Sequence, residues 1–109
     1  MCGRYTLAMP LLEVVDLLFL HSPEFALAPR YNIAPTQRLP VITNESPEEL
    51  QLYRWGLVPS WAKDPSIGNR MINARGETIH QKPSFRNAFK RKRCLVLADG
   101  FYEWKKTPT

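Results

Sequence analysis

The chain has 109 residues, 44% hydrophobic and 23% charged, so it suits one small globular domain and is neither disordered nor fibrous in composition. Its longest apolar stretch, residues 11–20, is broken by Glu13 and Asp16, and two cysteines with two histidines are too few for a disulfide framework or a compact metal site, so a reduced, cytoplasmic protein is expected. The net charge of +5 sits wholly in residues 82–109, where eight basic side chains accompany two acidic ones; that field suits a polyanion such as nucleic acid, or is a solvated helix face.

Residues 2–7 alternate polar and apolar and predict a strand with Cys2, Arg4 and Thr6 on one face. Residues 10–20 predict the best helix, with Pro10 in its first turn and apolar residues at 11, 14, 15 and 18. Residues 38–43 and 50–57 read as strands separated by a polar turn at 44–49. Residues 59–69 carry loop signals. Ser84 is expected to cap a short helix through Lys92, with Phe85 and Phe89 at i,i+4. Residues 94–98 and 101–105 predict a hairpin turning at Asp99-Gly100. Ten prolines punctuate the chain and exclude a long helical bundle. The expected class is α+β, rich in mostly antiparallel strands with short helices.

Cys2 is the most informative position. Initiator methionine is normally trimmed before a small residue, which leaves a free α-amine beside the thiol. Unperturbed α-amines titrate near about 8 and unperturbed thiols near about 8.5, so a pair of this kind is partly nucleophilic at neutral pH. Such a 1,2-aminothiol condenses with an aldehyde to an imine and closes to a thiazolidine. Arg4 on the same face is placed to hold an anion. Cys94, within an apolar run, reads as an ordinary core thiol.

Asn73 and Arg75, two apart, pair an amide with a guanidinium fork, a combination suited to sugar and phosphate; a turn-stabilising Asn and an Arg75–Glu77 pair are the plain alternatives. Glu103 lies between Tyr102 and Trp104, surroundings that favour acid–base work if they desolvate it, against a surface strand Glu paired with Lys105. Pro35, Trp55 and Trp61 are candidate wedges or stacking platforms for bases, although aromatics of this kind are more often core.

Five segments occur in a specific order: Met-Cys-Gly-Arg-Tyr (1–5), Tyr-Asn-Ile-Ala-Pro-Thr-Gln (31–37), Trp-Gly-Leu-Val-Pro-Ser-Trp (55–61), Asn-Ala-Arg-Gly-Glu-Thr (73–78) and Arg-Cys-Leu-Val-Leu-Ala-Asp-Gly-Phe-Tyr-Glu-Trp (93–104). Together they resemble the SRAP family of SOS-response-associated, abasic-site processing proteins. The resemblance implies a β-rich domain that binds single-stranded DNA and links covalently to abasic sites. It assigns Cys2 as the nucleophile, Asn73 and Glu103 as its catalytic companions, Arg4 and Arg75 as DNA-backbone contacts, and Pro35 as a wedge at the lesion. No metal or organic cofactor is implied, because the aldehyde is itself the electrophile. A peptidase using Cys2, autoproteolytic in kind, and a catalytically dead DNA-binding fragment are the rival readings.

Two departures accompany the resemblance. Leu97 stands where the family usually has proline. Family domains are also longer, and their later part supplies a His-x-Arg-Met-Pro segment that neither His21 nor His80 reproduces. Residues 1–109 are therefore expected to be the amino-terminal half of one such domain, apparently truncated. An open sheet edge and exposed apolar surface should follow, favouring a complementary carboxy-terminal half or self-association. A bacterial protein of this kind would be nucleoid-associated.

Overall fold

The computed structural model describes residues 2–107. Six strands and two helices follow in the order β1 (Tyr5–Leu7), α1 (Leu11–Leu17), β2 (Arg30–Ile33), β3 (Arg38–Thr43), β4 (Gln51–Arg54), α2 (Arg86–Arg91), β5 (Cys94–Val96) and β6 (Gly100–Phe101), with a 3-10 helix at Pro65–Asn69. Among the described residues they build two three-stranded antiparallel sheets, ordered β2-β1-β6 and β4-β3-β5. This is the α+β, strand-rich architecture that the composition and periodicity predict. No helix of the described residues is long and apolar enough to cross a membrane.

The central strands explain the core. Tyr5 and Leu7 of β1 alternate inward and pack with Ile33, Leu39 and Val41, while Trp55 and Leu97 lean on the same cluster. On the other face of β3, Ile42 packs with Leu50 and with Val15 of α1. Strand β3, Arg-Leu-Pro-Val-Ile-Thr, is buried at five consecutive positions because both its faces are covered.

Several elements differ from the expectations. Strand β1 begins only at Tyr5, and α1 stops at Leu17 because Phe19 turns left-handed (φ 54°). Strand β2 had no clear alternating signal; its pairing with β1 creates it. Ser84 does not cap α2: Phe85 occupies the cap position, and no side chain bonds there.

The expected hairpin at Asp99-Gly100 does not form. Strand β5 pairs with β3 and β6 with β1, so the chain crosses from one sheet to the other at residues 97–99. Asp99 directs this crossing. Its carboxylate accepts from the Thr6 hydroxyl and from the backbone N–H of Ala8 (2.7 Å) and Met9 (2.9 Å), while its own N–H donates to the Thr6 carbonyl (3.0 Å). Three donors on β1 and the residues after it outcompete the local turn. The same bonds, led by Thr6, hold the Asp99 carboxyl below its ordinary range.

Cys94 is likewise corrected from core to exposed, because β5 is an edge strand with all three residues uncovered. Leu95, Phe101 and Trp104 are similarly exposed.

Candidate active site

Cys2 and Tyr5 line an apolar groove of about 740 Å³ to which residues of both sheets contribute. Cys2, Tyr5, Trp55, Asn73, Val96 and Phe101 are among its lining residues.

Cys2 is half-buried, and its thiol lies 3.8 Å from the Arg4 carbonyl as a weak donor. Its own carbonyl accepts a 2.8 Å hydrogen bond from Nδ2 of Asn73. That bond joins residues 71 positions apart. It sets the peptide unit that carries the Cys2 side chain, so the amide identity at position 73 has a direct geometric use.

Asn73 is itself placed from both sides. Trp55 donates its indole N–H to the Ile72 carbonyl (2.9 Å), and the Leu57 N–H donates to Met71 (2.9 Å). The Trp55 ring packs at 5.6 Å and 57° on Tyr5, the first residue of β1. Trp55 is thus a core residue that ties the Asn73 segment to the Cys2 strand. Gly56 permits this arrangement: its φ is +142°, and a Cβ there would run into the Gly68 carbonyl. Tyr5 is buried, and desolvation pushes its phenol up to about 12, a rise that Arg30 opposes and Cys2 adds to.

Pro35 sits in a tight turn at the far end of Trp55. Thr36 adopts a left-handed φ of 73°, its N–H donates to the Trp55 carbonyl (2.9 Å), and the Trp55 N–H returns a bond to Gln37 (3.0 Å). Pro35 is half-buried on this turn and does not line the groove.

Glu103 follows β6 and is exposed. The predicted strand 101–105 ends at Phe101, but the Tyr102 N–H still donates to the Arg4 carbonyl (3.0 Å). Tyr5 faces Phe101 and Thr6 faces Gly100, and the Tyr102 bond continues this link between the two segments up to the residue before Glu103. Tyr102 fixes this strand end by donating its hydroxyl to the Tyr31 carbonyl (2.8 Å).

Arg4 and Arg75 are exposed cations, each two residues after one partner of the Cys2–Asn73 bond. Arg4 Nη1 donates to the Gly3 carbonyl (3.0 Å). The Arg75 carbonyl accepts from Thr78 and Ile79, which begins a turn, and Arg75 makes no ion pair with Glu77 among the described residues. Of the six candidates, Cys2 and Asn73 are in contact and share the groove. Arg4 precedes β1 and Glu103 follows β6, and neither lines the groove; Arg75 follows Asn73 in the chain. Sequence reasoning missed Asp99 and Tyr102 as strand anchors and the Trp55 N–H as a tether; the Asp-Gly signal marked the right place with the wrong pairing.

The family model described as SOS response associated peptidase (SRAP) matches residues 1–109. The Abasic site processing protein YoqW of Bacillus subtilis (strain 168) is 47% identical over 109 residues, covering 97% of this chain and 49% of the relative. The Abasic site processing protein HMCES of Xenopus tropicalis is 37% identical over 91 residues, covering 72% of this chain and 27% of that protein. A solved structure of a Bacteroides thetaiotaomicron protein superposes with a TM-score of 0.85 at 29% identity, over 97% of this chain and 50% of the other. The chain therefore spans about half the length of the curated Bacillus relatives it matches. With the family model matching from end to end and near-half identity to several abasic site processing proteins, the chain belongs to the SRAP family.

Proposed function

We propose that this chain carries the covalent chemistry of an abasic-site processing protein acting on single-stranded DNA, and that residues 1–109 are the amino-terminal half of one SRAP domain. The Asn73–Cys2 bond is the observation that carries the reading, because it holds Cys2 at the groove. The names of the Bacillus and Xenopus relatives support the substrate.

With Met1 removed, the Cys2 α-amine attacks the aldehyde carbon of the ring-opened sugar and forms a C–N bond. Glu103 gives a proton to the resulting hydroxyl, which leaves as water and yields an iminium. The Cys2 sulfur adds to that carbon, the C=N electron pair returns to nitrogen, and the proton shed by the thiol restores Glu103. One water is lost overall. Arg4 and Arg75 offer charge-assisted bonds to flanking phosphates, and Pro35 supplies a rigid wedge. If ring closure lags, the iminium permits β-elimination of the 3′ phosphate, a lyase outcome.

The geometry favours this reading over a peptidase. A thiol attacking an amide needs a neighbouring base, and neither histidine lines the groove; His21 instead faces Glu48 and Glu49 at 3.4 and 4.0 Å. The test is a denaturing gel of the chain incubated with single-stranded DNA carrying one abasic site. A retarded band that disappears in Cys2→Ser is the expected result. Binding without a retarded band is the dead-fragment outcome, and Cys2-dependent cleavage of a peptide is the peptidase outcome; either overturns the proposal.

A further inference from the structure

Helix α2 and the residues after it form a basic ridge that the groove chemistry does not use. Arg86, Lys90, Arg91, Lys92 and Arg93 are all exposed, and none of them makes an ion pair among the described residues. Glu48 and Glu49, on the turn after β3, are engaged by His21 instead.

The ridge is held in shape. Asn44 clasps its end: the Asn44 N–H donates to the Arg93 carbonyl (2.9 Å), Nδ2 donates to the Arg91 carbonyl (3.0 Å), and Oδ1 accepts from the Arg93 N–H (3.0 Å). The Arg93 guanidinium lies 4.5 Å over the Phe89 ring and donates to the Phe89 carbonyl (3.2 Å). A six-residue helix frays readily on its own; these contacts keep its last turn closed. Arg86 and Lys90 are i,i+4 neighbours, with Arg91 beside them. Like charges in that row repel, so a merely solvated face gains nothing from them.

Its course is equally specific. Phe85, at the start of α2, lines the groove together with Cys2 and Asn73, whereas Arg93 lines a separate cavity with Leu20 and Ile42 on the opposite face of β3. The segment from Phe85 to Arg93 therefore leads from the groove rim to the opposite face of β3. The helix within it is about 9 Å long, enough to lie beside neighbouring phosphates of one strand.

We propose that Arg86, Lys90 and Arg91 form a track for the phosphates of the single strand on one side of the abasic nucleotide, gripping the flank that leaves the groove. The inference rests on the DNA reading above and is tested apart from its chemistry. Binding is measured by fluorescence anisotropy in the Cys2→Ser background, which keeps it non-covalent, with single-stranded oligonucleotides of three and of fifteen nucleotides and with polyglutamate. Arg86→Gln/Lys90→Gln/Arg91→Gln should weaken the fifteen-mer about tenfold or more at 0.1 M salt. It should also lower the log–log salt slope by about two, as loss of three single-strand contacts implies. The three-mer should shift less than twofold, and polyglutamate should bind far more weakly than DNA throughout.

Unchanged fifteen-mer affinity and slope in the triple variant overturns the track, as does an equal loss for both oligonucleotides, a preference for polyglutamate, or no DNA binding by the parent. A second variant, Asn44→Ala, should reproduce part of the fifteen-mer loss with all cations present. Failure of the Cys2-dependent gel band with this length dependence intact would remove the chemistry and leave the track standing.

Discussion

The side-chain amide of Asn73 and the carbonyl of Cys2 meet at 2.8 Å across 71 residues of chain. The bond links an irregular loop to the segment that leads into β1 and closes the link that runs from Trp55 through Ile72. It makes the position of the reactive residue a property of the whole loop.

Asn73→Ala should slow covalent capture of an abasic oligonucleotide by about three- to tenfold, since one exposed hydrogen bond contributes about 1 kcal/mol to holding its partner. The melting midpoint should move by less than about 2 °C, because both groups reach solvent. Single-turnover gel kinetics beside a thermal melt separate the two effects.

Gly56→Ala should be costlier. A side chain at φ +142° is strained, and the Gly68 backbone leaves no room for it. Destabilisation of about 1–3 kcal/mol is expected in denaturant titration, together with slower capture, because Leu57 and Trp55 on either side hold the Asn73 loop.

Tyr5 carries a buried hydroxyl with no hydrogen-bond partner among the described residues. Tyr5→Phe should leave stability equal or raise it by up to about 1 kcal/mol, since removing an unsatisfied polar atom also removes its desolvation cost. The raised phenol sets a pH dependence. The folded state keeps its proton up to about 12 while the unfolded chain releases it near 10.0, so stability falls as pH rises through that window. Melts from pH 9 to 12 should show this decline in the parent and a shallower one in Tyr5→Phe.

Asp99 acts in the opposite direction. Its folded carboxyl is held below the ordinary 3.8, so its contribution is present above that value and is lost as pH falls through the lower folded value. Asp99→Asn, whose Nδ2 cannot accept from Ala8, Met9 and Thr6 together, should lower the melting midpoint at pH 7 and flatten its acid limb. Amide exchange at Tyr102 should quicken in the same variant, since β6 loses its anchor on β1.

Where the signal is local, the fold was readable from the residues. Strand β3 matches its predicted 38–43 limits because a hydrophobic run bounded by polar turns needs no distant information. The five ordered segments likewise pointed to Cys2 and Asn73 before any geometry. Long-range pairing was invisible. Asp99-Gly100 has the residues of a tight hairpin, yet the carboxylate finds three donors 90 to 93 positions earlier and sends β6 to the other sheet. Strand β2 failed for the same reason: only its partner β1 makes Arg-Tyr-Asn-Ile extended. Cys94 read as core because its neighbours are apolar, but burial depends on what covers an edge strand, and nothing among the described residues covers β5.

Intact and peptide-level mass spectrometry of the chain after reaction with an abasic single strand tests the central claim most directly. The account predicts an adduct equal to the protein lacking Met1 plus the oligonucleotide less one water, with the modification mapped to Cys2. An adduct that retains Met1, that maps to a lysine, or that persists in Cys2→Ser would contradict it.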